Sequence, residues 1–317
     1  MSNENAVPAP ASRPMRVAVV GATGFQGGAV ARLLVARGHR VRTLSRRPAG
    51  DRPPLPGADF VSGGLADEGA VGRLFEGVTH AVVTMPLLYD TERVRRYASN
   101  IARAARAAGV RRMVFNANTR LPQEPTEVPA FETRRMTETV LRGSGVPLVV
   151  LRPPVYLDNL FSPWNGPSLV DEGILAYPLP ASAPVAWLSH EDLAEAVHAA
   201  LVREGAEGGV FDIGGAATLT GADLAEVFTR GLGRPVRYVP LRPELFERAL
   251  ARLLGPDAAA GVTGLYRHLA AGSDPLLLAG DDGMAAEALG ITPAEAVTWV
   301  ATQPWRVWSN DPEDLPG

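Results

Sequence analysis

Residues 16–30 read Arg-Val-Ala-Val-Val-Gly-Ala-Thr-Gly-Phe-Gln-Gly-Gly-Ala-Val, and this stretch decides the fold. A run of apolar residues stops at Gly21, glycines recur at Gly24 and Gly27, and a segment rich in Ala, Leu and Val with helical periodicity follows. This order predicts a buried strand, a tight turn and the N-terminus of a helix. Glycines permit positive φ and let a pyrophosphate approach the free amides at the positive end of the helix dipole. We therefore predict a dinucleotide site, with a purely structural turn as the alternative.

The composition limits the chemistry that is open to the chain. It has 317 residues, a formal net charge of −3 and no cysteine, and all 31 of its basic residues are arginine. The absence of cysteine and lysine excludes disulfides, thiolate nucleophiles, cysteine metal sites and Schiff-base chemistry. The mild charge does not indicate a nucleic-acid partner or an acidic membrane surface.

The N-terminal residues lack the basic region and apolar core of a secretory signal, and no apolar run is long enough to span a bilayer. We therefore expect a cytoplasmic protein, a monomer or homodimer, without membrane, nucleic-acid or metal partners. Its expected partner is a small-molecule substrate.

Strands alternate with helices through the first half of the chain. Strands are predicted at 40–44, 58–61, 80–84, 112–115 and 147–151, with helix N-caps at Asp67 and Ser189 and a helix that begins at Thr220. This alternation predicts an α/β fold, a doubly wound, Rossmann-like parallel sheet with helices on both faces.

The domain organisation follows from the change of pattern beyond Tyr156. We predict a disordered tail at 1–14, a nucleotide-binding domain at 15–155 and a smaller C-terminal substrate lobe at 156–303. Residues 209–213 are expected to return to the main sheet, and 304–317 to form a loose C-terminal tail. Residues 157–188 are rich in proline, glycine and aromatic side chains, which is typical of a pocket wall, although such side chains also serve in simple packing.

The end of the second strand indicates which cofactor is preferred. It reads Ser45-Arg46-Arg47, and no Asp or Glu lies between Arg40 and Gly50. An acidic residue here binds the ribose 2′-hydroxyl of NAD, whereas an arginine suits a 2′-phosphate. We therefore predict NADP(H) with Arg46 as the phosphate ligand, and Arg47 as a solvated loop residue.

Several motifs, in order, resemble the NmrA-like branch of the atypical short-chain dehydrogenase/reductases. They are Gly-Ala-Thr-Gly-Phe-Gln-Gly-Gly at 21–28, Val-Arg-Thr-Leu-Ser-Arg at 41–46, Ala-Gly-Val-Arg-Arg-Met-Val-Phe at 108–115, Gly-Val-Pro-Leu-Val-Val-Leu-Arg-Pro at 145–153, Trp-Leu-Ser-His-Glu-Asp-Leu-Ala at 187–194, Leu-Thr-Gly-Ala-Asp-Leu-Ala at 219–225 and Gly-Arg-Pro-Val-Arg-Tyr at 233–238. The resemblance covers about residues 15–240. It implies a doubly wound fold with a substrate lobe, and usually NADP(H).

The resemblance and the residues together define a candidate site. The expected cofactor contacts are Gly21, Thr23, Gly24, Phe25, Gln26, Gly27, Ser45, Arg46, Thr84, Met85, Pro86, Asn116, Arg134, Pro153 and Val155. The expected substrate contacts are Asn118, Tyr156, Asn159, Phe161, Trp164 and Trp187. Catalytic roles are expected for Asn118, Tyr156 and Arg134.

The catalytic set of the wider superfamily does not carry over to this sequence. That set is a serine after the fifth strand and a Tyr-x-x-x-Lys on the next helix, and these positions fall on Asn118, Ala130 and Arg134. Arg134 could still bond the nicotinamide ribose, but the usual proton donor is missing. The proton would then come from water, from another residue such as Tyr156, or from a phenolic or enolic hydroxyl of the substrate.

Three functions remain open from the sequence. The first, which we favour, is an NADP(H)-dependent reductase of a small apolar, aromatic or polyketide-like carbonyl or quinone, because the lobe is rich in aromatic residues. The second is a non-catalytic regulator that senses NADP(H). The third is a redox-neutral isomerase, cyclase or lyase. The lysine-free composition is typical of GC-rich bacterial genomes, in which such enzymes often tailor secondary metabolites.

Overall fold

The computed structural model describes residues 14–47, 49–51, 55–272, 274–281 and 283–310. The predicted tail at 1–14 therefore falls almost entirely outside the described residues, as do residues 311–317.

Within the described residues, nine strands form two parallel sheets. They are β1 (Arg16–Val20), β2 (Arg40–Ser45), β3 (Ala58–Ser62), β4 (His80–Thr84), β5 (Arg112–Asn116), β6 (Leu148–Leu151), β7 (Ile174–Tyr177), β8 (Val210–Phe211) and β9 (Arg237–Pro240). The main sheet has the order β3-β2-β1-β4-β5-β6-β8 with every pair parallel, and β7 pairs with β9 in a small second sheet. The strand order reverses between β1 and β4, which confirms the predicted doubly wound sheet.

Eleven α-helices connect these strands or cover them in the described part of the chain. They are α1 (Phe25–Ala36), α2 (Glu68–Phe75), α3 (Thr91–Ala107), α4 (Pro129–Arg142), α5 (Gly166–Glu172), α6 (His190–Val202), α7 (Gly221–Leu232), α8 (Pro243–Leu254), α9 (Pro256–Ala270), α10 (Met284–Leu289) and α11 (Ala296–Thr302). Short 3₁₀ helices lie at Ala49–Asp51, Leu157–Leu160, Pro275–Leu277 and Trp305–Trp308.

Both faces of the main sheet are buried, which explains why its central strands are continuously apolar. Val17, Ala18 and Val19 in β1 are fully buried. On one face the side chains of the sheet pack with α1 and α6, and on the other with α2, α3 and α4. A third core, formed largely by residues beyond 155, lies in the C-terminal part of the chain.

Side-chain caps fix where several helices begin. Asp67 accepts a hydrogen bond from the amide of Ala70 at 3.0 Å, and Ser189 accepts one from the amide of Asp192 at 2.9 Å. Thr220 forms a capping box with Asp223. The helix starts predicted at these three caps are confirmed.

The C-terminal segment 304–310 packs against α5, α7 and α11, so the prediction of a loose tail is wrong for these residues. Trp305 is 5% exposed, contacts the rings of Phe228 and Trp299, and donates its indole N–H to Val300 O at 2.7 Å. Asn310 donates to the carboxylate of Asp171 at 2.6 Å. The apolar area of a tryptophan explains why this segment is held, because exposing it to water costs free energy.

Candidate functional site

The glycine turn between β1 and α1 is built around two backbone contacts. Gly21 has a φ of +91°, and a Cβ there would lie 2.8 Å from Thr84 O. A Cβ at Gly27 would lie 2.3 Å from Gly21 O, so no other residue fits at either position without moving the backbone. At Gly24 a Cβ would meet only Gly21 O at 3.4 Å and otherwise open space. Gly24 is therefore the glycine that leaves room for a ligand.

A groove of about 700 Å³ runs along this turn and the ends of β2 and β4. The predicted cofactor contacts that line it are Gly21, Thr23, Gly24, Phe25, Gln26, Gly27, Ser45, Arg46, Thr84, Met85 and Pro86. No acidic residue lies in the first turn of α1, so the positive end of the helix dipole is not neutralised. Pro153 and Val155, by contrast, are buried and line neither this groove nor the second cavity, so the structure does not support them as side-chain contacts.

Arg46 lines the groove and is an exposed residue. Its aliphatic carbons pack over Gly64, where a Cβ would lie 3.2 Å from Arg46 Cδ. Within the described part of the chain, its side chain has no hydrogen bond or ion pair. Arg47 also lines the groove, and its amide donates to Ser45 Oγ at 3.1 Å. Arg46 can therefore bind an anion without breaking an existing contact.

A second cavity, of about 530 Å³, adjoins the groove. Its wall is largely apolar and includes Phe161, Trp164, Phe246, Leu250, Val262 and Leu265. Four residues, Phe25, Gln26, Leu87 and Asn118, line both spaces. Phe25 is 88% exposed, which is unusual for a phenylalanine and places its ring at the junction.

Trp187 does not line this cavity, so the structure does not support it as a substrate contact. It is 3% exposed and packs edge-on against the ring of Tyr177, with ring centroids 5.0 Å apart. Asn159 does line the cavity and donates to the Tyr177 hydroxyl at 3.0 Å, and that hydroxyl shares a short hydrogen bond with Tyr266. Tyr177 and Tyr266 thus form a polar pair in an apolar wall.

Tyr156 lines the cavity, but its hydroxyl is already hydrogen-bonded. The side-chain amide of Asn116 donates to this hydroxyl at 3.1 Å and also lies 3.1 Å from Gln26 Oε1. Asn116 therefore lies behind the junction and holds Gln26 in place. Burial raises the pKa of Tyr156 well above its usual range, which makes the phenol a weaker acid.

Asn118 has the backbone geometry of a functional position. Its φ is +64°, the only positive value at a non-glycine residue in the described part of the chain. Its amide donates to Asn116 Oδ1 at 3.0 Å, while its own Oδ1 is buried and has no partner among the described residues. Left-handed backbone is costly outside glycine, and a buried polar atom without a partner costs more. Both features favour a ligand contact at the junction.

Arg134 is a buried cation in the wall of the second cavity. It is 2% exposed and lies 5.6 Å from the centre of the Tyr89 ring. Its Nη1 donates to Thr133 Oγ1 at 3.3 Å, and its Nη2 lies 3.5 Å from Pro86 O. Burial lowers the pKa of Arg134 because the charged form is poorly solvated. Pro86 lines the groove, so Arg134 connects the two spaces.

Sequence reasoning missed an imidazole–carboxylate pair in the same wall. His190 Nδ1 lies 3.1 Å from Asp158 Oδ1, and the His190 amide donates to Asp158 Oδ2 at 2.8 Å. Both residues line the cavity. The motif Trp-Leu-Ser-His-Glu-Asp-Leu-Ala predicts a helix start, and only the fold brings Asp158 beside it.

Sequence comparison then gives the family. The profile of the NmrA-like family matches residues 14–262, which is more than half of the chain. The chain belongs to the NmrA-like family.

The proteins to which the chain is similar include reductases and a regulator. A (4-alkanoyl-5-oxo-2,5-dihydrofuran-3-yl)methyl phosphate reductase of Streptomyces griseus is 33% identical over 77% of this chain and 83% of the relative. The Escherichia coli quinone oxidoreductase QOR2 in complex with NADPH superposes with a TM-score of 0.67 at 21% identity, over 90% of this chain and 98% of QOR2. The negative transcriptional regulator NmrA in complex with NADP superposes with a TM-score of 0.70 at 19% identity, over 91% of this chain and 95% of NmrA. The two structures share the fold.

The sequence places the catalytic positions of the wider superfamily, as an expectation, at Asn118, Ala130 and Arg134. Asn118 and Ala130 line the second cavity together with Arg134. Ala130 presents only a methyl group, so its side chain cannot give a proton. Among the described residues no group of three His, Asp or Glu side chains could hold a metal ion, and no helix there is long and apolar enough to cross a membrane.

Proposed function

We propose that this protein is an NADP(H)-dependent reductase of a small apolar carbonyl compound or quinone, aromatic or polyketide-like. The observation that carries the proposal is the common wall of the two cavities. Phe25, Gln26, Leu87 and Asn118 line the dinucleotide groove and the apolar cavity alike. A ligand in the groove therefore lies directly against a ligand in the cavity, which hydride transfer requires.

The residues of the groove fit a dinucleotide phosphate. The open space at Gly24 and the free amides of α1 suit a pyrophosphate, and Arg46 suits a 2′-phosphate. Arg134, 3.5 Å from Pro86 O, would bond the nicotinamide ribose. A bound NADPH supplies a hydride. The protein supplies orientation through Asn118 and exclusion of water through the apolar wall.

The named activity of the Streptomyces griseus relative guides the choice of substrates. That protein is a reductase of an alkanoyl-substituted dihydrofuranone phosphate. The cavity of this chain combines an apolar wall with a buried guanidinium, so acyl lactones belong beside quinones and aromatic ketones among the candidates.

The test is oxidation of NADPH by the purified protein in the presence of quinones, aromatic ketones and acyl lactones. We expect turnover with at least one class, and none in the Gly24→Val variant, whose side chain would fill the groove. Tight NADPH binding without turnover on any compound would contradict the proposal and favour a regulator, as in NmrA. Conversion of a compound without NADPH oxidation would favour redox-neutral chemistry.

A further inference from the structure

His190 has the surroundings of a working imidazole. Asp158 contacts it twice, through the ring nitrogen Nδ1 at 3.1 Å and through the backbone amide at 2.8 Å. The residue is 8% exposed, and its Nε2 is buried with no hydrogen-bond partner among the described residues. A buried polar atom without a partner is unfavourable, and a ligand in the cavity that His190 lines would supply that partner. The unpartnered Nε2 is therefore a candidate contact for a ligand.

The position of His190 relates this nitrogen to the reaction site. Its ring lies edge-on to the ring of Tyr156, with centroids 4.8 Å apart. The side-chain amide of Asn116 is hydrogen-bonded both to the Tyr156 hydroxyl and to Gln26 at the junction of the two cavities. His190, Tyr156 and Ala130 all line the same cavity. Where the superfamily has a phenol this chain has a methyl group, and a histidine with a free nitrogen lies in the same wall.

We propose that His190 is the general acid of this protein, oriented by Asp158, and that its Nε2 gives the proton to the substrate oxygen. This inference rests on the proposed reductase function. One hydride, supplied by bound NADPH, forms the new C–H bond at the carbonyl carbon, and the C=O π pair moves to oxygen. That oxygen takes the Nε2 proton, which leaves a neutral imidazole. The carbonyl is reduced by two electrons, NADPH becomes NADP⁺, and solvent returns the proton to His190.

The neighbouring charges support this assignment. The Asp158 carboxylate faces Nδ1, so it holds the proton on that nitrogen and stabilises the imidazolium, as carboxylates do in other acid–base pairs. Asp192 is occupied, because its carboxylate accepts from Ser189 Oγ and from the amide of Ala294. Tyr156 is a poorer donor, because burial raises its pKa and Asn116 already binds its hydroxyl. Asp158 is thus a positioning residue, and His190 the one that touches substrate.

The first experiment compares His190→Gln with His198→Gln. Both residues lie on α6, but His198 lines neither cavity, so it controls for the substitution itself. We expect His190→Gln to lower kcat by about 10²–10⁴-fold, with the Kd for NADPH changed by less than about threefold. The fall of kcat/KM toward alkaline pH, which reports loss of the acid proton, should disappear in this variant. Asp158→Asn should lower kcat less than His190→Gln does and leave the Kd for NADPH within about threefold, because it weakens only the orientation of the imidazole.

The second experiment needs no turnover. The protein is titrated with 4-nitrophenol, whose phenolate absorbs visible light, and the ionisation midpoint of the bound phenol is read from pH 4 to pH 9. Donation from His190 Nε2 to the phenolate should lower this midpoint by about one pH unit relative to the His190→Gln variant.

Each result decides between the two proposals. If the wild-type protein reduces a substrate and His190→Gln keeps its rate and pH profile, His190 is not the acid while the reductase function stands. If kcat fell in Tyr156→Phe but not in His190→Gln, Tyr156 would be the general acid. If no substrate turns over, the reductase proposal fails, and equal phenol midpoints in the two proteins overturn the role of His190 separately. Absence of both turnover and phenol binding overturns both.

Discussion

Replacement of Arg46 by alanine should remove the preference for NADPH over NADH without unfolding the protein. Arg46 has no hydrogen bond or ion pair within the described part of the chain, and only its aliphatic carbons pack, over Gly64. The free energy of unfolding should therefore change by less than about 0.5 kcal/mol. The substitution should instead weaken the binding of NADPH, because a charge-assisted contact to a phosphate contributes about 1–3 kcal/mol to the binding free energy.

This range converts to a measurable ratio. Since about 1.4 kcal/mol corresponds to a factor of ten in Kd, the ratio of the NADH and NADPH dissociation constants should fall by about 5–150-fold. Calorimetric titration of both cofactors gives that ratio directly. Arg93→Ala is the matched control, because Arg93 lines the same groove from α3 rather than from the end of β2 and should leave the ratio unchanged. The wild-type preference should also weaken as salt is added, since the contact is exposed.

Two results would refute this reasoning. Equal dissociation constants for NADPH and NADH in the wild-type protein would mean that the groove does not recognise a 2′-phosphate. If the ratio of the NADH and NADPH dissociation constants were unchanged in Arg46→Ala but fell in Arg93→Ala, the 2′-phosphate ligand would be Arg93.

Three further predictions concern the turn, the C-terminal segment and pH. Gly24→Val should abolish NADPH binding in a calorimetric titration, while the protein stays folded because the φ and ψ of Gly24 suit valine. Gly27→Ala should instead unfold at a lower temperature, because its Cβ would lie 2.3 Å from the carbonyl oxygen of Gly21. Trp305→Ala should lower the free energy of unfolding by about 3–5 kcal/mol in denaturant titrations, and a change below about 1 kcal/mol would contradict the packing described. Burial is the main reason why the pKa of His80 and of His198 is lowered from 6.5 to about 4. Between these two pH values the unfolded chain binds more protons than the folded protein, so Tm should fall as the pH is lowered from 6.5 to 4. A Tm that does not change over this range would contradict the prediction.

The parts of the fold that depend on local chemistry could be predicted from the sequence. The apolar run before Gly21 and the glycine spacing were enough to predict β1, the turn and α1. Asp67, Ser189 and Thr220 marked helix starts because a capping side chain bonds an amide only three residues away. The alternation of strands and helices was enough to predict a parallel sheet.

The parts that depend on tertiary contacts could not be predicted in this way. Asp158 and His190 are 32 positions apart, and no periodicity indicates that they meet. Trp187 was assigned to the pocket because aromatic residues cluster around it, but composition does not say toward which side a ring points. The C-terminal segment does carry a signal of packing, since two tryptophans, Trp305 and Trp308, are unusual in a solvated tail.

The common wall of the two cavities has a consequence for the order and the energetics of binding. Because Phe25, Gln26, Leu87 and Asn118 belong to both spaces, a molecule in either one becomes part of the boundary of the other. The two affinities are then thermodynamically linked, and the factor by which NADPH changes the Kd of the substrate must equal the factor by which the substrate changes the Kd of NADPH. A cofactor that enters first completes the wall of the apolar cavity, so steady-state kinetics should show a compulsory sequence, with NADP⁺ competing against NADPH and leaving last.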